Sequence, residues 1–532
     1  MKSPQQTAHA TASNHVMRLC TSAALLAASM ALTCAAGEFS PVRLHPENPR
    51  VLEFRGKPLV LITATEHYGA VMNRPFDFER YLADAAEKRI TLTRLFVLYR
   101  ELQTAVNPYS TCKPESTDYI SPYPRTGPGL ASDRLPKFDL DRWNPEFFER
   151  LHRFLAAAAR RGVVVEVTLF SNPYSVETWG LNPLNPLNNI NSTETIRPVE
   201  FLSTRSPILF GRQQALVRKI VTGCNLYDNV FFEICNEPSS DLSATLPPDA
   251  RPNPDAAEMD RWQVELARMV RGAEAGLPLH HLISGQASYA TPYILSAEGL
   301  SLTSSFKELP VDIVNVHTFY NTTYEGVAFD IGDFMNGQLR LKGLRDLFLA
   351  TAKERKPLNL DEDNAASRFT DLTGWTIHRK RAWTTILSGG HYDMIDFTIQ
   401  NRLETGTAEA QRHIRSWMKH LSTFAHSLDL VHARPLPAVV TKLPPHTIAS
   451  VLAVEGKDYS IYLADAREAG EPGLGDAIRG DIQLSLPAGQ WEVTIVNPMT
   501  GETSRGPSIN GGESRLQVPE FRHDVALRVR RQ

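Results

Sequence analysis

Between residues 58 and 398 the chain repeats one theme eight times: a short apolar run, then a longer stretch, several with helical periodicity. The runs are PLVLITA (58–64), LTRLFVL (92–98), GVVVEVTLF (162–170), NVFFEICN (229–236), HLISGQ (281–286), DIVNVHTF (312–319), KPLNLDED (356–363) and HYDMIDFT (391–398). Most are near-continuously apolar, which suits strands covered on both faces of a parallel sheet. Of the intervening stretches, PEFFERLHRFLAAAARRG (145–162) sets Phe, Leu and Ala at helical spacing and stops on a glycine. AAEMDRWQVELARMVRGAE (256–274) and IHRKRAWTTILSGG (377–390) behave likewise. Eight strand–helix units in succession predict an α/β chain closed as a (β/α)8 TIM barrel. An open doubly wound sheet is the runner-up. It loses because no glycine-rich turn follows the first run and because the count reaches eight.

After about residue 430 the period drops to two. TIASVLAVEG, DYSIYLAD, DIQLSLPAG, QWEVTIVNPMTG, SRLQVPEF and VALRVRR are separated by Gly, Pro and Asp turns, the pattern of a small antiparallel β-sandwich. The expected organisation is therefore a barrel over 37–429 and a sandwich over 430–532, preceded by a signal peptide over 1–36. The segment MRLCTSAALLAASMALTCAAG carries one basic residue, an apolar stretch and small residues at Ala35 and Ala36, which predicts export to a secreted or periplasmic location. Lipid attachment at Cys34 fits poorly, since Ala31-Leu32-Thr33 makes a weak lipobox. With a formal net charge of −3 and no basic run, nothing marks a nucleic-acid partner. No later stretch is long and apolar enough to span a membrane. Cys112, Cys224 and Cys235 have no metal-binding spacing and read as buried free thiols, with a Cys224–Cys235 bridge as the alternative.

In such a barrel, functional side chains project from the C-terminal ends of several strands. The fourth run ends on Asn236-Glu237-Pro238, and the seventh carries Glu362 between two aspartates. Three strand–helix steps separate them, enough to set two carboxylates across the mouth of a barrel. Two carboxyls about 5–5.5 Å apart around a sugar bond are what a retaining glycosidase needs, one as nucleophile and one as acid/base. The acid must keep its proton near neutral pH, through burial and the charge of its partner. Strand alternation groups Glu233 with Glu237, turns Asp361 and Asp363 away if Glu362 points in, and leaves Glu233 needing a buried partner, for which Arg94 is one candidate. The long irregular stretches 100–140 and 171–198 fall on the same face and are expected to shape a cleft, with Trp179 as a candidate stacking platform.

FFEICNEP together with a glutamate ending the seventh run resembles clan A of the glycoside hydrolases, the superfamily that includes the family 5 cellulases. That resemblance implies that Glu237 is the acid/base, Glu362 the nucleophile and Asn236 the ligand of a sugar 2-hydroxyl. Arg94 would keep the nucleophile ionised, and VNVHTFY would bring His317 and Tyr320 near it. Departures are a Phe where the family 5 pattern has its tyrosine, no tryptophan in the eighth run and no clear histidine after the third. A closer resemblance is to bacterial apiosidase-like glycoside hydrolases, carried by FRGKPLVLITATEHYGAVMN and KFDLDRWNPEFFERL. It implies that Glu66, His67 and Tyr68 floor the sugar site. LPAGQWEVTIVNPMTGE resembles the collagen-binding-type module found at their C-termini. The implied enzyme takes a poly- or oligosaccharide and needs no metal and no cofactor. The rival readings are a catalytically inactive barrel that binds carbohydrate, a metal-dependent barrel hydrolase, for which His67 and His317 are thin ligands, and an adhesin acting through its sandwich.

Overall fold

A computed structural model describes residues 40–98, 117–239, 256–289, 300–317, 322–332, 338–363 and 370–532. Its central sheet has seven strands in one sequence: His391–Tyr392, Leu358–Leu360, Ile313–Val316, Ile283–Gly285, Val230–Asn236, Val164–Ser171 and Leu92–Phe96. Spatial order follows chain order, and every pairing is parallel. The eighth position is filled by the first apolar run, which forms bridges rather than a full strand. Ile62 and Thr65 bridge in parallel to Tyr392 and Ile395 on one side. On the other, Thr91 N–H donates to the Ile62 carbonyl at 3.0 Å and Phe96 N–H to that of Tyr68 at 3.2 Å. The sheet thus closes on itself as a barrel.

The helices form where the sequence supplies both a stripe and its stops. Pro145–Arg161 begins with Asn144 accepting from the Glu146 amide and Pro145 in the first turn, where a missing N–H costs nothing. It buries Phe147, Leu151, Phe154 and Leu155, and ends at Gly162, whose φ of 72° suits a residue without a Cβ. Ala256–Glu274 buries Met259, Trp262, Leu266 and Val270. The helix Leu372–Leu387 departs from its amphipathic pattern: every residue from Ile377 to Leu387 is buried, on all sides of the helix. It lies between the barrel and the second sheet, and its charged residues find partners there. Arg381 Nε donates to Asp363 at 2.8 Å, and Arg379 grips Asp524 at 2.8 and 3.0 Å.

The second sheet runs Arg434–Pro435, Thr447–Val454, Asp458–Asp465, Asp524–Arg531, Ile478–Val496, Val440–Lys442, with Thr503–Phe521 paired along Ile478–Val496. It curls in a sandwich-like manner around its own core, which includes Ile461, Leu484, Trp491, Leu527 and Val529. Two expected strands, DIQLSLPAG and QWEVTIVNPMTG, are one 19-residue strand. Pro487-Ala488-Gly489 bends it at a register irregularity instead of ending it, since Thr503–Phe521 pairs on both sides of the bend. Another face of this sheet packs on the barrel: Tyr462 stacks on Trp383 at 5.4 Å and donates its hydroxyl to Asp524 at 2.8 Å. Trp383→Ala is therefore expected to cost about 3–5 kcal/mol. Urea unfolding measures it, and the barrel and sheet transitions should separate as their shared wall is hollowed. Cys224 and Cys235 are both buried and free. Cys112 lies outside the described residues.

Candidate active site

Arg94 is the hub of the barrel interior. It projects inward from Leu92–Phe96 with no exposed surface. Its guanidinium meets Glu233 at 2.5 Å, Glu362 at 3.2 Å, Asp361 at 3.3 Å and Glu166 at 3.4 Å. It also donates to the Tyr68 hydroxyl and to Asn236 Oδ1, both at 3.1 Å. Side chains from neighbouring strands complete the lattice. Thr168 donates to Glu233, Ser284 to Glu166, and the Asn315 amide to both glutamates.

Glu237 and Glu362 stand above this hub. Glu237 directly follows Asn236, the last residue of its strand, Glu362 comes two residues after Leu360, the last of its own, and each has a left-handed backbone, with φ of 47° and 55°. Tyr68 and Tyr174, which touch the same cluster, share that conformation at 64° and 58°. A non-glycine residue resists such angles, and clusters of them gather at functional sites. This turn of the chain also overrides strand alternation. Asp361, expected to point away, faces inward onto Arg94 and His317. His317 spans the two glutamates: Nδ1 lies 2.9 Å from Glu237 Oε1 and 3.5 Å from Glu362 Oε2, while Nε2 meets Asp361 at 3.2 Å. The two glutamate oxygens are thus no farther apart than those first two distances laid end to end.

Two cations, Arg94 and His317, face six carboxyls: Glu166, Glu233, Glu237, Asp361, Glu362 and Asp393. Burial and the charges of Asp361 and Glu233 hold Glu166 well above the usual carboxylate range. Burial and Asp361 do the same to Asp393. His317 is held charged: burial opposes its proton, but the bonds to Asp361 and Glu237 win. Burial pushes Glu237 up too, yet the bonds from His317 and Tyr174 and the charge of Arg94 bring it below its ordinary value. Glu362 goes the other way. Burial and the charges of Glu237 and Asp361 outweigh His317 and Arg94 and push it up to about 7. Of the two carboxyls it is therefore Glu362, rather than Glu237 as the acid role would have it, that is biased toward holding the proton. Ligating atoms of Glu233, His317 and Asp361, and of Glu166, Asp361 and Asp393, fall within 4.8 Å of one another in each group. These are the places among the described residues where an ion could be held, but Arg94 already meets two acids of each group.

Residues 116–211 match a family described as "Domain of unknown function (DUF6298)". No curated protein matches the chain. Among solved structures, a glycoside hydrolase family 5 protein from Bacteroides vulgatus is similar over 92% of this chain and 93% of its own, at 11% identity and a TM-score of 0.58. The fold matches that of family 5-like glycoside hydrolases. A second structure, described as a glycoside hydrolase, covers 93% of this chain and 97% of its own at 10% identity, with a TM-score of 0.57. Both likenesses take in the barrel and the second sheet together.

Within that glycoside hydrolase fold, the remaining candidates separate. Asn236 is buried, and its amide bonds Arg94, Tyr174 and Ser171. Tyr68 stacks on Phe96 at 4.3 Å beneath Arg94. His67 packs edge-on to Tyr68 and Phe397, and burial and the charge of Arg94 lower it to about 4, so it is neutral. Glu66 turns back to accept from the Gly69 and Ala70 amides, capping its own loop. Trp179 is 4% exposed and packs against Phe201, so its faces are spent inside the loop rather than offered to a sugar. Tyr320 lies outside the described residues. Tyr174 went unpredicted. It donates to Glu237 Oε2 at 2.5 Å and accepts from the Asn236 amide at 2.7 Å. A lone loop tyrosine carries no periodic signal. The local signal is Asn172, whose side chain accepts from the Tyr174 amide and donates to Ser239 in the next loop.

Proposed function

We propose that this chain is a retaining O-glycoside hydrolase of poly- or oligosaccharides, with Glu237 as acid/base and Glu362 as nucleophile. The observation that carries the reading is the placement of both carboxylates against one imidazole nitrogen, His317 Nδ1. Their ceiling of separation lies below the roughly 6.5–9.5 Å that inverting enzymes need for an intervening water, and leaves room for the about 5–5.5 Å of retaining ones. The fold similarity and the resemblance of FFEICNEP support the same class. The finer likeness to apiosidase-like enzymes and to a collagen-binding-type module rests on the sequence signatures alone. The division at residue 430 and export by the leader likewise remain parts of this proposal. No helix of the described residues is long and apolar enough to cross a membrane.

Double displacement needs the proton on Glu237 and the negative charge on Glu362. A sugar in the cleft supplies the bias: positive charge growing at the anomeric carbon stabilises ionised Glu362, and a leaving oxygen against Glu237 favours its protonated form. The pair titrates as a unit, so this transfer moves one shared proton. Glu362 then attacks the anomeric carbon as Glu237 protonates the leaving oxygen, and in the second step Glu237 takes a proton from the attacking water.

The test is hydrolysis of a glycan and aryl-glycoside panel by the mature chain, with the first-formed anomer read by proton NMR. Retention is expected, and an inverted first product would sink the reading. Glu237→Ala should slow substrates with poor leaving groups by about 10²–10⁴-fold. Dinitrophenyl glycosides, which leave without protonation, should be cleaved in the first step at close to the normal rate.

A further inference from the structure

We propose that Tyr174 is a positioning residue that holds Glu237 in its base form, favouring the second half of the reaction, in which Glu237 must accept a proton from water. The inference rests on the reading of Glu237 as acid/base and extends it to a residue outside the recognised pattern.

The direction of every hydrogen in the chain leading to Glu237 follows from donor chemistry. A guanidinium only donates, so the Asn236 amide atom facing Arg94 at 3.1 Å is the oxygen. The NH2 of Asn236 therefore faces Tyr174 and donates to its hydroxyl oxygen at 2.7 Å. With an amide N–H pointing at that oxygen, the phenolic proton is directed onward, to Glu237 Oε2 at 2.5 Å. Arg94, Asn236 and Tyr174 thus form a one-way line of donors ending on the carboxylate. The other oxygen, Oε1, faces His317 Nδ1 at 2.9 Å. The opposite imidazole nitrogen is on Asp361, so a charged His317 donates at both ends. Both oxygens of Glu237 accept, which is the arrangement of an ionised carboxylate.

The other titratable groups bearing on Glu237 are Arg94, which favours its charge, and Glu362, whose own titration is raised by Glu237. Cys235, next to it in the chain, is held neutral by burial and by Glu233 and Glu237. None of these would be removed by changing Tyr174. The tyrosine is itself held in place by the chain: its left-handed φ of 58° is braced by the Asn172 side chain, which ties the third loop to Ser239.

Tyr174→Phe keeps the ring and deletes the last donor. Loss of a donor to the charged form should raise the midpoint at which Glu237 titrates by about one pH unit. The direct measurement is carbon-13 NMR on the full chain labelled at the glutamate carboxyl, with the Glu237 signal identified by its loss in Glu237→Gln. This readout needs no turnover, so it separates failure of the inference from failure of the glycosidase reading. An unmoved midpoint in a variant that melts like wild type overturns the proposal. On the best aryl glycoside from the panel, the alkaline limb of kcat/KM should also move up, because that limb reports the last proton of the coupled Glu237–Glu362 pair. Near pH 5 and below, where the raised midpoint leaves Glu237 protonated, kcat and KM should fall together as the glycosyl-enzyme accumulates. A uniform rate loss with an unmoved alkaline limb would show a merely structural tyrosine and also overturn it.

Discussion

Glu362→Gln is expected to lower turnover by more than about 10³-fold, since an amide neither attacks the anomeric carbon nor leaves it. Glu362→Ala should regain turnover with added azide and release a glycosyl azide of inverted configuration. An active Glu362→Gln protein would refute the nucleophile assignment. The same substitution should stabilise the fold, in a pH-dependent way. The carboxyl of Glu362 is raised from 4.5 to about 7 in the folded chain. Between those values the native state binds more protons than the unfolded state, so stability falls as pH rises through the window. Glutamine removes that loss. The variant should therefore gain little below pH 4.5 and up to about 3 kcal/mol above pH 7, read as the difference in urea midpoints at pH 4.5 and pH 8. A gain independent of pH would place the cost elsewhere than in the buried charge.

Arg94→Met is the second large effect, and it acts on folding. Removing the guanidinium leaves Glu233, Asp361 and Glu362 buried without their cation, and a broken buried network of this kind costs about 3–5 kcal/mol. The loss should shrink at low pH, where the orphaned carboxyls take up protons. Arg94→Lys keeps the charge but not the fork that reaches Asn236, Tyr68 and four carboxylates at once, and should recover only part of the stability. Thermal melting of the three proteins at pH 5 and pH 8 checks the order. A methionine variant as stable as wild type at pH 8 would show that the acids are neutral without Arg94.

The barrel was legible because its strands are buried on both faces and read as near-continuous apolar runs, as in VVEVTLFS and VFFEICN. The second sheet was legible through its alternation, except where a Pro-Ala-Gly bend looked like a turn but lay inside a strand. The site was less legible, for a local reason. Alternation predicts side-chain direction only while the chain stays extended, and at Glu237 and Glu362 it enters the left-handed region. Hence the misplaced direction of Asp361. The tryptophan of the third loop is a candidate platform by residue type alone, and the structure packs it against Phe201. Tyr174 and Asp361 had no pattern to announce them, because their partners lie tens of residues away and meet only once the barrel closes.

The hub also bears on how such a chain can be assembled from fragments. Cut the barrel after its first four strand–helix units, and Arg94 stays with Glu166 and Glu233, while His317, Asp361, Glu362 and Asp393 leave together. One fragment would then hold a guanidinium with half its anions, and the other a nest of acids around a single imidazole. Neither piece carries the full set of paired charges by itself. Co-expressed halves should stay insoluble apart and fold only on meeting, which makes this barrel a natural split reporter.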